Sequence, residues 1–126
     1  MSREDYRFWT WLLTAALGAS LFLLAIQFLG NMRRTVEVAY ARNTFFDLQE
    51  HRAHALRSDV SEAAERLLWV SEGTNTKQTP GSPLDQICTF QRTNVVHDII
   101  VYLRAKTGED SGDKPEPWIQ KYAPKR

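Results

Sequence analysis

Hydrophobic and polar positions divide this chain into two unlike parts. From Phe8 to Gly30 the run FWTWLLTAALGASLFLLAIQFLG carries no charged side chain over 23 positions, and Gln27 is its only strongly polar residue. A helix rises about 1.5 Å per residue, so this run is roughly 34 Å long, against a hydrocarbon core of about 30 Å. A soluble core helix of that length needs a large protein to cover every face, and this chain has 126 residues. The pattern predicts a single transmembrane helix over residues 8–30, behind a short polar tail of residues 1–7. A cleaved signal peptide competes for the same residues. Its apolar stretch is usually about 7–15 residues long and ends in a small-residue cleavage site. Here apolar sequence continues past Ala15, Ala16, Gly18, Ala19 and Ser20 and exits into Asn31-Met32-Arg33-Arg34, which suits a retained anchor.

Beyond Gly30 the pattern changes to an amphipathic one. Residues 31–72 contain neither proline nor glycine, so nothing forces the helix to stop at a membrane surface. Val36, Tyr40, Phe45, Leu48, Ala55, Leu56, Val60, Ala63, Ala64, Leu67 and Val70 recur mostly at three- and four-residue steps, a helical period. Ser58-Asp59, with Glu62 following, resembles a capping box. The expectation is therefore a juxtamembrane helix over 31–58, either continuous with the next helix or bent near residue 58. A small helical domain over 59–126 follows. Its loop, 73–83 (GTNTKQTPGSP), combines two glycines and two prolines. Ser82 as cap, Pro83 at the first position and Asp85 in the first turn announce another helix. Ile87, Phe90, Val95, Val96, Ile99, Ile100 and Leu103 supply its buried stripe, Thr93-Asn94 is a possible break, and Gly108 is the stop. Residues about 59–72 and 84–107 are expected to pair antiparallel, because neither stripe can be buried alone. Leu67, Leu68, Trp69, Val96, Ile99, Ile100 and Leu103 form the expected centre, with Trp118 folding over it from an irregular tail, 108–126. The fold class is all-α, a transmembrane helix running into a helical stalk of coiled-coil type and a small helix pair.

Charge and composition narrow the partners. Sixteen basic and fifteen acidic residues leave a net charge of +1, which implies no nucleic-acid partner. Two basic residues (Arg3, Arg7) precede the span and three (Arg33, Arg34, Arg42) follow it, which leaves orientation open under the positive-inside rule. Phe8, Trp9 and Trp11 are the expected interfacial anchors at one end, and Arg33 and Arg34 at the other. Ala15, Gly18 and Ala19 offer a small-residue face where a second helix can approach. The expected location is a bacterial inner or plasma membrane, single-pass. A lone Cys88 excludes an intrachain disulfide.

The segment Thr107-Gly108-Glu109-Asp110-Ser111-Gly112-Asp113-Lys114-Pro115-Glu116-Pro117-Trp118, after the apolar helix ending at Leu103, resembles the closing segment of some bacterial HEAT-repeat-like proteins. There a last repeat helix runs into a TGxDxGxxPxxW-type tail. Thr107, Gly108, Asp110, Gly112, Pro115 and Trp118 match; Ser111 and Lys114 depart from the pattern. The likeness covers residues 95–122, and the upstream chain shows no repeat of solenoid length. It implies one degenerate helix pair with a closing tail, in a class that binds partners.

Candidate chemistry is sparse. Glu50, His51 and His54 share one helical turn, but a metal site needs further ligands, and neither HExxH nor CxxC occurs. Cys88 and His97 are nine residues apart on one helix, about 13 Å. Glu109, Asp110 and Asp113 lack the order of a calcium loop. No catalytic, cofactor or metal residue is expected, and no small-molecule substrate. The expected partners are a lipid bilayer and a protein or second copy. The expected role is a membrane-anchored helical interaction or scaffolding module, with an accessory subunit of a membrane enzyme or transport complex as the alternative.

Overall fold

A computed structural model describes residues 3–73 and 78–125, and the fold is all-α. Four helices follow in order: α1 (Arg3–Ala55), α2 (Val60–Glu72), α3 (Pro83–Thr107) and α4 (Pro115–Tyr122). No strand occurs among the described residues. Residues 74–77 of the expected loop lie outside them. The chain divides into two compact units, one ending at Val36 and the other beginning at Glu37.

The first unit holds the apolar part of α1. Its best 18-residue window has a mean hydropathy of 2.1, and none of that window is buried by the rest of the chain. The helix is long and apolar enough to cross a membrane. It already begins at Arg3, so most of the expected polar tail is helical. Its hydroxyls are satisfied within the helix: Thr14 Oγ1 donates to the Thr10 carbonyl (2.7 Å) and Ser20 Oγ to that of Ala16 (2.9 Å). Such internal pairing removes the cost of placing a hydroxyl in a medium without water.

The second unit takes in the last turns of α1 together with α2, α3 and α4. Ala41, Leu48 and Ala55, seven residues apart, are the buried positions of α1; Val36 and Tyr40, expected in the stripe, are exposed. The helix ends at Ala55 because the chain tightens. Arg57 and Ser58 donate to the carbonyls three residues back, and Ser58 Oγ donates to that of His54. The alternatives at residue 58 thus resolve as two helices. Asp59 caps α2, its carboxylate accepting from the Glu62 backbone N–H at 2.9 Å. The unit therefore starts at Glu37 rather than at 59, because α1 supplies Leu48 and Ala55 to its core.

Leu67 and Val70 of α2, Val95, Ile99, Ile100 and Leu103 of α3, and Trp118 of α4 complete that core. Leu68 and Val96 lie half-buried at its edge. Three expected core residues do not belong to it. Trp69 is 53% exposed, Ile87 49% and Phe90 68%. Helical phase explains this: two residues from Leu67, and two from Cys88, amount to about 200° of rotation and face away. The burial of α3 follows Cys88, Val95, Ile99 and Leu103.

α3 is continuous through Thr93, whose hydroxyl donates back to the Thr89 carbonyl at 3.0 Å instead of competing with the helix. Ser82 Oγ accepts from the Asp85 N–H (3.2 Å), and Asp85 accepts in return from Gly81 N–H (2.8 Å). Gly108 ends the helix with φ 69°, its N–H returning to the Arg104 carbonyl. The expected irregular tail contains α4. Prolines at 115 and 117 fall in the first turn, where a helix needs no N–H. Trp118 is wholly buried and donates Nε1–H to the Gly112 carbonyl at 2.9 Å. Tyr122 stacks on it at 6.0 Å between centroids.

Candidate functional site

Within the first unit, Phe8, Trp9 and Trp11 are 62%, 54% and 78% exposed, and the Phe8 and Trp9 rings meet edge to face. Arg33 and Arg34 are exposed about two turns of helix before Ala41, the first buried residue of α1. A Cβ built on Gly18 meets nothing within 4 Å, and Ala15 and Ala19 beside it are exposed. Gln27 is exposed as well, and its amide makes no hydrogen bond among the described residues.

The second unit disperses the candidate ligands. His51 Nδ1 stands 3.5 Å from Arg66 Nη1. Burial first, then the Arg66 charge, lowers its pKa below the usual 6.5. His54 faces elsewhere: its Nδ1 lies 3.0 Å from Ser58 Oγ and 3.4 Å from Glu62 Oε1. The trio imitates a serine–histidine–carboxylate arrangement only in composition. A relay needs the nucleophile on one ring nitrogen and the carboxylate on the other, whereas here both meet Nδ1. Cys88 is fully buried, and burial followed by Asp85 pushes its thiol up, the state of an unreactive thiol. His97 is exposed on another face of α3. Among the described residues no three potential ligands gather.

The acidic residues of the 108–114 turn are engaged. Arg104 donates to Asp110 (2.9 Å) and Asp113 (2.7 Å), and the Gly112 N–H also donates to Asp110 (3.0 Å). Lys121 and Tyr122 both donate to Glu109. These bonds lower the pKa of Asp110, through the Gly112 N–H and Arg104, and that of Glu109, through Lys121 and Tyr122. Their role is to fasten α4 to α3.

One concavity carries unpaired charge. A cleft of about 210 Å³ opens where α1, the end of α2 and α3 meet. Asp47 and Thr44 line it from α1, Trp69 and Gly73 from α2 and its cap, and Arg92 from α3. Arg92 Nε is buried without a hydrogen-bond partner. Of these cleft residues only Trp69, as an expected core residue, and Gly73, as the start of the expected loop, figured in the sequence reading. A signal was available: Arg92 falls on the buried row of α3, four residues after Cys88 and three before Val95. Comparison with protein-family models, with curated proteins and with solved structures returned no match.

Proposed function

We propose that the chain is a membrane-anchored helical module that binds another protein or a second copy and catalyses nothing itself. The observation that carries this reading is the apolar stretch of α1, none of whose best window is covered by the chain. Burial of apolar area is worth roughly 25 cal/mol per Å², so so many exposed large side chains demand a medium other than water. Lipid supplies it, with Phe8, Trp9 and Trp11 at one interface and Arg33 and Arg34 at the other. Residues 37–126 form the binding part, with α2 and α3 as an antiparallel pair and α3–α4 corresponding to the HEAT-like closing segment. Alkaline carbonate extraction tests the anchor: the full-length protein stays in the membrane pellet at its full length. Release into the supernatant, or a mature N-terminus near residue 20 or 30, sinks the reading.

Gln27 favours a second reading, an accessory subunit packed through its span. Helical side chains lean toward the N-terminus, so this amide leans from the far end of the span into the hydrocarbon, where a bare amide is costly. Hydrogen bonding to a neighbouring span removes that cost. Gln27→Leu then weakens co-purification with a membrane complex in mild detergent while membrane insertion stays intact. Unchanged recovery of the complex excludes the role.

A further inference from the structure

α3 carries a second stripe on the side away from its own core. Ile87, Phe90, Asn94, His97 and Val101 recur at steps of three, four, three and four residues, and all five are exposed. Phe90 is 68% exposed, Ile87 49% and Val101 46%. At about 100° of rotation per residue, the five fall in one narrow strip, opposite the buried row of Cys88, Val95, Ile99 and Leu103. The core cluster includes none of them. Neither the Asn94 amide nor the His97 ring makes a hydrogen bond among the described residues. Such spacing is the seam along which one helix packs against another.

The order of residues along the strip selects the occupant. The strip is laid antiparallel to a second copy of itself, about a two-fold axis level with Val95 and Val96. Phe90 then meets Val101 and Asn94 meets His97, each contact made twice, as a two-fold interface requires. The Asn94 amide both donates and accepts, so it matches whichever His97 nitrogen faces it. Ile87 meets Arg104, whose guanidinium stays on Asp110 (2.9 Å) and Asp113 (2.7 Å) while its methylene stem offers apolar cover. Parallel pairing is poorer, because it sets His97 against His97 and Arg104 against Arg104. Lipid is a poor occupant too. A helix lying on a membrane flanks its apolar strip with Lys and Arg, whereas Gln86, Gln91, Thr93 and Asp98 flank this one, and its middle is polar.

We infer that two copies of this chain pair through the outward face of α3, antiparallel, with Phe90 against Val101 and Asn94 against His97. Three apolar side chains a copy are few beside the about 20–30 residues a side of a stable interface. The pairing therefore draws on the anchor, since copies held in one membrane meet at a raised effective concentration. It rests on the membrane-anchored reading and names the partner which that reading leaves open.

Disulfide trapping in native membranes tests it with the full-length chain. F90C and V101C are co-expressed with tags of different size, so that the mixed dimer and the two self-pairs separate on a gel after oxidation. The parent chain is the control, its single thiol at Cys88 being buried. The mixed dimer outnumbers either self-pair several-fold. N94K, carried by both copies, lowers its yield about tenfold, because a charge without a counterpart enters the seam. H97E added to N94K restores the yield through a Lys–Glu pair across the axis. All four positions are exposed, so the fold of the chain is not at stake in these variants. Equal yields of the three dimers mean random collision, and an excess of self-pairs means parallel pairing; each overturns the inference, as does a yield that N94K leaves unchanged or that H97E fails to restore. Absence of the mixed dimer overturns it whether or not carbonate releases the protein. A protein that stays in the carbonate pellet without forming that dimer fails this inference alone and leaves the anchor standing.

Discussion

At His51 the direction of one pKa determines how the helical unit answers to acid. Burial and Arg66 favour the neutral imidazole, so the folded value lies below the usual 6.5. Between the lowered value and 6.5 the unfolded chain binds the extra proton, and stability rises with pH. The stabilisation is complete above pH 6.5 and is lost as pH falls through the folded value. Glu109 and Asp110 have the same sign lower down, their contribution present above the ordinary values of 4.5 and 3.8 and lost beneath them. Thermal unfolding of the full-length protein in micelles therefore shows Tm falling in two stages on acidification. His51→Gln removes the upper stage and spares the lower. An upper stage of unchanged size in that variant assigns the effect to another group.

Among the elements, the sequence was most legible where local chemistry decides the outcome. Ser82, Pro83 and Asp85 place the start of α3, Gly108 its end, and Asp59 the start of α2, because a cap depends on a few adjacent atoms. It was least legible where phase decides. On α1 Leu48 and Ala55 stand in the expected stripe, but Ala41, which completes their seven-residue row, is hidden behind larger neighbours such as Tyr40 and Phe45. Side-chain size attracts attention, whereas the angle about the helix axis decides burial. Ile87 and Phe90 fail for the same reason. α4 was hidden by its prolines, which break a helix in its interior and start one in its first turn. The cleft was illegible for a further reason: Thr44, Asp47, Gly73 and Arg92 come from three helices, and only Arg92 departs from its local pattern.

At the scale of the whole molecule, the boundary of the helical unit follows from which helix supplies its walls. A division at residue 59 gives α2, α3 and α4, and these do contain the large buried side chains Leu67, Ile99, Ile100, Leu103 and Trp118. It discards Leu48 and Ala55, both part of the same core cluster. It also discards Arg52, whose Nε reaches Asp98 of α3 at 2.6 Å, though that pair is about two-fifths exposed and contributes little. Removing a wall of packed side chains uncovers apolar surface on α2 and α3 with nothing to replace the lost contacts, a defect larger than any single truncation, itself worth roughly 2–5 kcal/mol for a leucine. Small domains have only about 5–15 kcal/mol to lose. A fragment of residues 37–126 therefore unfolds cooperatively on heating, with a sharp transition in both helical and aromatic circular dichroism. A fragment of residues 59–126 keeps part of its helix signal and loses the aromatic signal and the sharp transition. Cooperative melting of the shorter fragment at the temperature of the longer one places the core wholly within α2, α3 and α4 and reduces the end of α1 to a tether.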